Sequence, residues 1–115
     1  MPYNRGAVVL ALFPDSNLRT AKRRPVLVVQ RNQLGSGLQQ TIVAMISSNM
    51  ARAGHPSRVE IELSAPEGAK TGLRTDSVIM TDNLATLLDS EFDRRLGDWA
   101  RMDLVDAALR HTLGL

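Results

Sequence analysis

The chain predicts a mainly β fold: a small, strongly curved antiparallel barrel followed by one C-terminal helix. Three observations carry that expectation. Short runs of strand length, apolar or alternating, recur along the 115 residues. Stretches rich in Gly, Pro, Asn and Asp separate them. Only the last segment repeats apolar residues at spacings of three and four, the period of a helix with one buried face. Five or six short strands with Gly-rich connections and a single helix fit a barrel better than a layered α/β arrangement.

Arg5 to Phe13 is an apolar run that Pro14, Asp15, Ser16 and Asn17 bring to an end, which makes it strand one. A compact basic loop follows, with Arg19, Lys22, Arg23 and Arg24 inside six residues. Pro25 forces extended geometry on Arg24 and donates no backbone hydrogen bond, so it marks the passage into strand two, which Val26, Val28 and Val29 continue to Gln30. A guanidinium held on stiff backbone beside other cations marks Arg24 as an anion site.

Asn32 to Gln40, with Gly35, Ser36 and Gly37, reads as a connection, and Thr41 to Ser47 as strand three, antiparallel to strand two. A second basic loop over 48–57 carries Arg52 and His55. Arg58 to Leu63 alternates polar and apolar residues, as a strand with one wet face does. Pro66 to Asp76 is a third loop, with Lys70 and Arg74, leading into a strand over Ser77 to Asp82; Arg94 to Trp99 is the last short strand. The helix is marked by Val105, Ala108 and Leu109 and stopped by Gly114, with Asp98 or Asp103 as its start. Trp99 is expected in the core or at a dimer interface.

One domain over 1–115 is expected, burying roughly two-thirds of its unfolded surface. With no cysteine, disulfides and thiolate metal sites are excluded, and His55 and His111 lie far apart in sequence without ligand spacing, so neither metal nor cofactor is expected. No apolar run reaches the roughly 20 residues a membrane span needs, and the first residues lack a signal pattern, so a cytoplasmic protein is expected. Charge is unevenly spread: residues 1–58 carry eight Lys/Arg against one acid, residues 59–115 six against eleven. Three basic loops at 19–24, 52–58 and 70–74 thus point to phosphate. Tyr3, Phe13, Phe92 and Trp99 are too few and too dispersed for a base-stacking platform.

Taken in order, several segments resemble the MazF/PemK (Kid) family of toxin endoribonucleases of type II toxin–antitoxin systems, whose fold is an SH3-like barrel. Arg5-Gly6 resembles the family's opening R-G-[DE]-[IV], and Arg24 to Val29 its R-P-[AV]-[LV]-[IV]-[LIV]. Ala44 to Ser48 resembles its [AP]-[IV]-[TS]-[ST] segment, and Asp76 to Ile79 with Asp82 to Thr86 its D-S-V-[IV] and [DE]-Q-[IV]-[RK]-[TS]. Ala107 to Arg110 with Leu113-Gly114-Leu115 resembles its helix and L-G-L end.

The resemblance implies metal-independent cleavage of single-stranded RNA, the ribose 2′-hydroxyl attacking the adjacent phosphodiester to leave a 2′,3′-cyclic phosphate and a 5′-hydroxyl. It implies a catalytic set of Arg24, which steadies the charged phosphorus centre, Ser47, whose hydroxyl donates to a phosphate oxygen where many members have Thr, and Asp82, which accepts the 2′-OH proton or orients the ribose. Arg19, Lys22, Arg23, Arg52, Lys70 and Arg74 are then RNA-binding residues that contact the backbone and set affinity rather than sequence. A homodimer and a cognate antitoxin, laid as an acidic segment over the basic groove, are the implied partners. Two departures matter. Met80 stands where some members carry a catalytic Arg, and Ala85 where most carry a basic residue before Thr86; no His follows strand one. They support a second reading, a non-catalytic toxin of the same fold that binds and poisons DNA gyrase.

Overall fold

The structure, a computed structural model, describes residues 3–115. Its elements follow the order β1 (Ala7–Pro14), β2 (Ala21–Val28), β3 (Gln40–Ser47), β4 (Arg58–Ile61), α1 (Pro66–Ala69), β5 (Ser77–Leu88), β6 (Phe92–Asp98) and α2 (Met102–Leu113). The six strands form one antiparallel sheet in the order β4-β5-β3-β2-β1-β6. The mainly β architecture and the β2–β3 pairing are as expected from the sequence. The ladder does not close into a barrel, because β4 and β6 remain its two edges.

Both faces of the sheet are covered, which is why β1, β3 and the second half of β2 read as nearly unbroken apolar runs. Val8, Leu27, Ala44, Ile46 and Ile79 point to one face, where Val59 and Ile61 of β4, Trp99, and Val105 and Ala108 of α2 complete a core. Val9, Ala11, Phe13, Val26, Val28, Val43 and Leu87 point to the other. Alternate residues of one strand feed opposite cores. Trp99 is a core residue, 4% exposed.

The supposed basic loop at 19–24 is mostly strand. β2 begins at Ala21, and Lys22, Arg23 and Arg24 pair with Phe13, Leu12 and Ala11. Only Asp15 to Thr20 turns the chain: the Asp15 N–H donates to the Thr20 carbonyl (2.8 Å), and the Asn17 side chain accepts from the Arg19 and Thr20 N–H groups (2.8 and 3.2 Å). Three consecutive cations hide a strand whose charged half extends past the core.

Pro25 has a larger consequence. β2 pairs with β3 only through Val26, Val28 and the residue between, and the ladder stops where Pro25 would follow. Beyond that point β3 keeps only its other neighbour, β5, with which it pairs along its whole length, Ile46 standing against Ile79 and Ser47 against Val78. A gap therefore opens between Arg24-Pro25 on one side and Ile46-Ser47 on the other.

β5 does not end at Asp82 but runs on to Leu88. Met45 faces Met80 while its neighbour Ala44 faces Leu84, so Thr81, Asp82 and Asn83 are extra residues looped out of the ladder. The Thr81 N–H and hydroxyl both donate to the Ser57 carbonyl (3.1 and 2.6 Å), which pins the bulge. Its polar residues imitate a turn in the sequence. The 66–76 segment is likewise more ordered than a loop, containing α1 with Pro66 in its first turn.

The last helix begins at Met102, between the two expected starts, and its N-terminus has no side-chain cap. Gly114 ends it as expected, at φ 71°, with the Gly114 and Leu115 N–H groups both donating to the Arg110 carbonyl. No helix among the described residues is long and apolar enough to cross a membrane.

Candidate active site

Arg24 stands at the mouth of the gap beside Pro25, two residues before the buried Val26. Its side chain is about one-third exposed and its Nη2 donates to the Asp15 carboxylate at 3.2 Å. Across the gap lies Ser47, the last residue of β3. Its hydroxyl oxygen accepts the Asn49 N–H at 3.1 Å, which leaves the O–H proton free to donate outward. Arg24 and Ser47 line one cavity of about 460 Å³, together with Arg23, Arg74 and Arg94. Four guanidiniums in one cavity with the Ser47 hydroxyl make an anion site; Ser48, Thr75 and Ser77 also line it.

The four cations are not equally available. Arg23 is paired with Asp93 (3.0 Å) and Arg24 with Asp15, whereas Arg74 and Arg94 make no ion pair among the described residues. Arg24 also borders a second cavity, about 520 Å³, with Asp15, Thr20, Lys22, Met45 and Asn83. It is thus a wall between two chambers, one cationic with a serine hydroxyl, the other holding a carboxylate. The Thr20 hydroxyl (2.6 Å) and then Arg24 hold the Asp15 carboxyl below its ordinary range.

Asp82 does not join Arg24. The bulge turns it toward β4, where Arg58 grips it with two hydrogen bonds, Nε to Oδ1 at 2.8 Å and Nη2 to Oδ2 at 3.0 Å. That grip holds the Asp82 carboxyl below the usual carboxylate range. Arg58 in turn lines a small cavity, about 200 Å³, with Ser47, Asn49, Arg52 and Met80. Asp82 is therefore one residue removed from Ser47, on the side away from Arg24.

Asp82→Asn is expected to cost about 1 kcal/mol of stability at neutral pH, no more, since the carboxylate is a third exposed and screened. The folded-state pKa lies below the unfolded value of about 4, so the pair stabilises fully above that pH and is lost as pH falls through the folded value. Urea midpoints of the two proteins should differ at pH 7 and converge below about pH 4.

Of the six other cations singled out in the sequence, Arg23 and Arg74 lie on the groove with Arg24 and Ser47. Lys22 lies in the second chamber and Arg52 in the small cavity beside Ser47. Arg19 and Lys70 are exposed and line none of these cavities. The fold brings His55 and His111 together, ring centroids 6.1 Å apart, although no cluster of three potential metal ligands exists among the described residues.

Three residues went unnoticed in the sequence. Arg94 gave only the start of a strand, and its place opposite Arg24 depends on β6 lying beside β1, where Arg94 pairs with Leu10. Arg58 opened an alternating run, and nothing local tied it to Asp82. Asp15 was legible as the sole acid in the first 58 residues, yet counted only as a turn residue.

The family described as PemK-like, MazF-like toxin of type II toxin-antitoxin system matches residues 4–113. Endoribonuclease MazF6 of Mycobacterium tuberculosis is 36% identical over 107 residues, with 90% of each chain covered. Endoribonuclease EndoA of Bacillus subtilis is 34% identical over 119 residues, covering 100% of this chain and 97% of its own. A solved mycobacterial endoribonuclease in complex with its cognate antitoxin superposes with a TM-score of 0.74 at 23% identity, covering 98% of this chain and 96% of its own, which is a likeness of fold. With the family matched over almost the whole length, the chain belongs to the PemK-like, MazF-like toxins of type II toxin–antitoxin systems.

Proposed function

We propose that this protein is the toxin of a type II toxin–antitoxin pair and acts as a sequence-specific endoribonuclease on single-stranded RNA, without a metal. The observation that carries the reading is the gap at Pro25, with Arg24 on one lip and Ser47 on the other. A phosphodiester lying across it meets a permanently charged guanidinium and a free hydroxyl proton. As O2′ attacks and negative charge gathers on the non-bridging oxygens, those donors are already in place. The products are a 2′,3′-cyclic phosphate and a 5′-hydroxyl. Asp82 acts at a distance by holding Arg58 beside Ser47, which makes it a positioning residue.

Arg23, Arg74 and Arg94 on the groove, with Lys22 and Arg52 flanking it, are the backbone contacts. Arg19 and Lys70 extend the same field from outside it. Because each contact releases condensed counterions, RNA affinity is steeply salt-dependent. Arg74→Ala is expected to reduce the slope of log K against log salt by about 0.7 and to raise KM with little change in kcat. Fluorescence anisotropy with a labelled RNA oligomer at four salt concentrations measures it.

The same groove suits an acidic antitoxin segment, which would compete with RNA for those guanidiniums. A homodimer, doubling the groove across two subunits, and a cytoplasmic site of action belong to the same reading. Curated relatives at 34 and 36% identity are named endoribonucleases, which favours cleavage over the gyrase-binding alternative that Met80 and Ala85 raised. The test is incubation of the purified protein with single-stranded RNA in excess EDTA. Cuts with 5′-hydroxyl ends support the reading; intact RNA, with a gyrase pull-down and growth arrest that survives Arg24→Ala, replaces it with the alternative.

A further inference from the structure

Resting on that reading, we infer that Asp15 is the catalytic base that takes the proton from the attacking 2′-hydroxyl. Arg24 separates two chambers: Ser47, Arg74 and Arg94 lie in one, Asp15, Thr20, Lys22 and Asn83 in the other. In-line displacement needs such a division, since the attacking O2′ and the departing O5′ occupy opposite sides of phosphorus. The serine and two unpaired arginines suit the side where charge leaves. Asp15, the only carboxylate in contact with Arg24 among the described residues, suits the side where a proton must be taken up.

Asp15 is built for a fixed position. Its backbone N–H closes the turn onto Thr20, and the Thr20 hydroxyl donates to Oδ2 at 2.6 Å. The other oxygen, Oδ1, takes the 3.2 Å bond from Arg24. A phosphate arriving at Arg24 competes for that guanidinium, and Oδ1 then faces the ribose next to the phosphate. Lys22 is the other charge near the carboxylate. Release of Arg24 raises the proton affinity of Asp15 in the same event that delivers the substrate. The step balances: the 2′-OH proton passes to Asp15, the O2′–P bond forms, the P–O5′ bond breaks, and O5′ keeps the electron pair and takes a proton from water. Asp15 returns its proton to solvent. Asp82 is ill placed for this part, because both its oxygens are occupied by Arg58.

The test is the pH–rate profile for single-turnover cleavage of a single-stranded RNA oligomer in EDTA, for the wild type, Asp15→Asn, Asp15→Glu and Thr20→Val. Asp15→Asn is expected to lower the cleavage rate about 100-fold with KM nearly unchanged and to abolish the acid limb of the profile. Asp15→Glu recovers part of the rate and the limb. Thr20→Val removes the hydrogen bond that depresses Asp15, so its acid limb moves to higher pH. That shift is read within the active population and does not depend on Asp15→Asn folding well. Asp15→Asn that cleaves as fast as the wild type, or faster with tighter RNA binding, overturns the assignment and makes Asp15 a competitor of phosphate for Arg24. So does an acid limb unmoved in Thr20→Val. A wild type that leaves the RNA intact overturns the functional reading itself.

Discussion

Arg24→Ala is expected to slow RNA cleavage about 1000-fold while leaving the fold intact. The magnitude follows from what the side chain does. Removing one preorganised donor to a developing oxyanion costs 10²–10³-fold, roughly, in enzymes where it has been isolated, and Arg24 presents two forked donors and a full charge. The fold tolerates the change because the guanidinium is partly exposed and its side-chain tie among the described residues is the single bond to Asp15. Arg24→Lys separates charge from geometry. A lysine keeps the charge but not the fork, so it should bind RNA within a few-fold of the wild type and still lose most of kcat. Equal losses in kcat and kcat/KM, measured by single-turnover assays, mark an interaction made only in the transition state. Retention of more than a tenth of the wild-type rate in Arg24→Ala would remove this residue from the reaction.

The groove is assembled from pieces whose legibility in the sequence differed for physical reasons. Arg24 and Ser47 were visible because each stands next to an unmistakable local signal, Pro25 in one case and the apolar run of β3 in the other. That the two meet was not visible. It depends on β2 parting from β3 at Pro25, and pairing is a property of two strands rather than of either. Asp82 shows the reverse. Its sequence neighbours place it on a strand end, but the looped-out Thr81–Asp82–Asn83 segment turns it toward Arg58, 24 residues away. A bulge changes which way a carboxylate points without leaving a periodicity to read. Whether the curved sheet closes was not legible either: the strands were recognisable one by one, whereas the ladder stays open because β4 does not meet β6, and α2 with Trp99 packs against β4.

Charge was the weakest guide. Three cations in a row disguised the first half of β2 as a loop, because outward-pointing arginines say nothing about backbone pairing. Conversely, Asp15 was counted as the lone acid of a basic half but read only as a turn residue, and nothing local tied it to Arg24. Met80, paired with Met45 just before the bulge, borders the small cavity beside Ser47. Arg74 and Arg94, without an ion pair among the described residues, supply positive charge from the opposite wall.

Those two arginines flank a backbone contact that predicts a large loss of stability. Arg74 follows Gly72, and Arg94 precedes Gly97, and the backbones at the two glycines touch. A Cβ on Gly97 would lie 2.2 Å from the Lys70 carbonyl oxygen and 2.5 Å from the Thr71 carbonyl carbon; one on Gly72, already at φ +74°, would lie 2.1 Å from the Leu96 oxygen. The Asp98 N–H donates to the Lys70 carbonyl at 3.0 Å, and Thr71 is fully buried with its hydroxyl on the Gly68 carbonyl. Backbone on both sides means that no side chain can swing away to make room. Gly97→Ala is therefore expected to destabilise by about 3 kcal/mol. For a chain of this size that lowers Tm by roughly 12 °C. Gly54→Ala, where a Cβ meets nothing within 4 Å and the backbone φ is not positive, should leave Tm within about 2 °C. The two effects share a cause only if the 70–72 segment is clamped on β6. RNA cleavage by the folded fraction of Gly97→Ala should then fall as well, since prising that segment off β6 moves Arg74 away from the Arg24–Ser47 gap. A Gly97→Ala protein that melts with the wild type would mean that the two backbones do not meet, and that Arg74 is not fixed across the groove from Arg24.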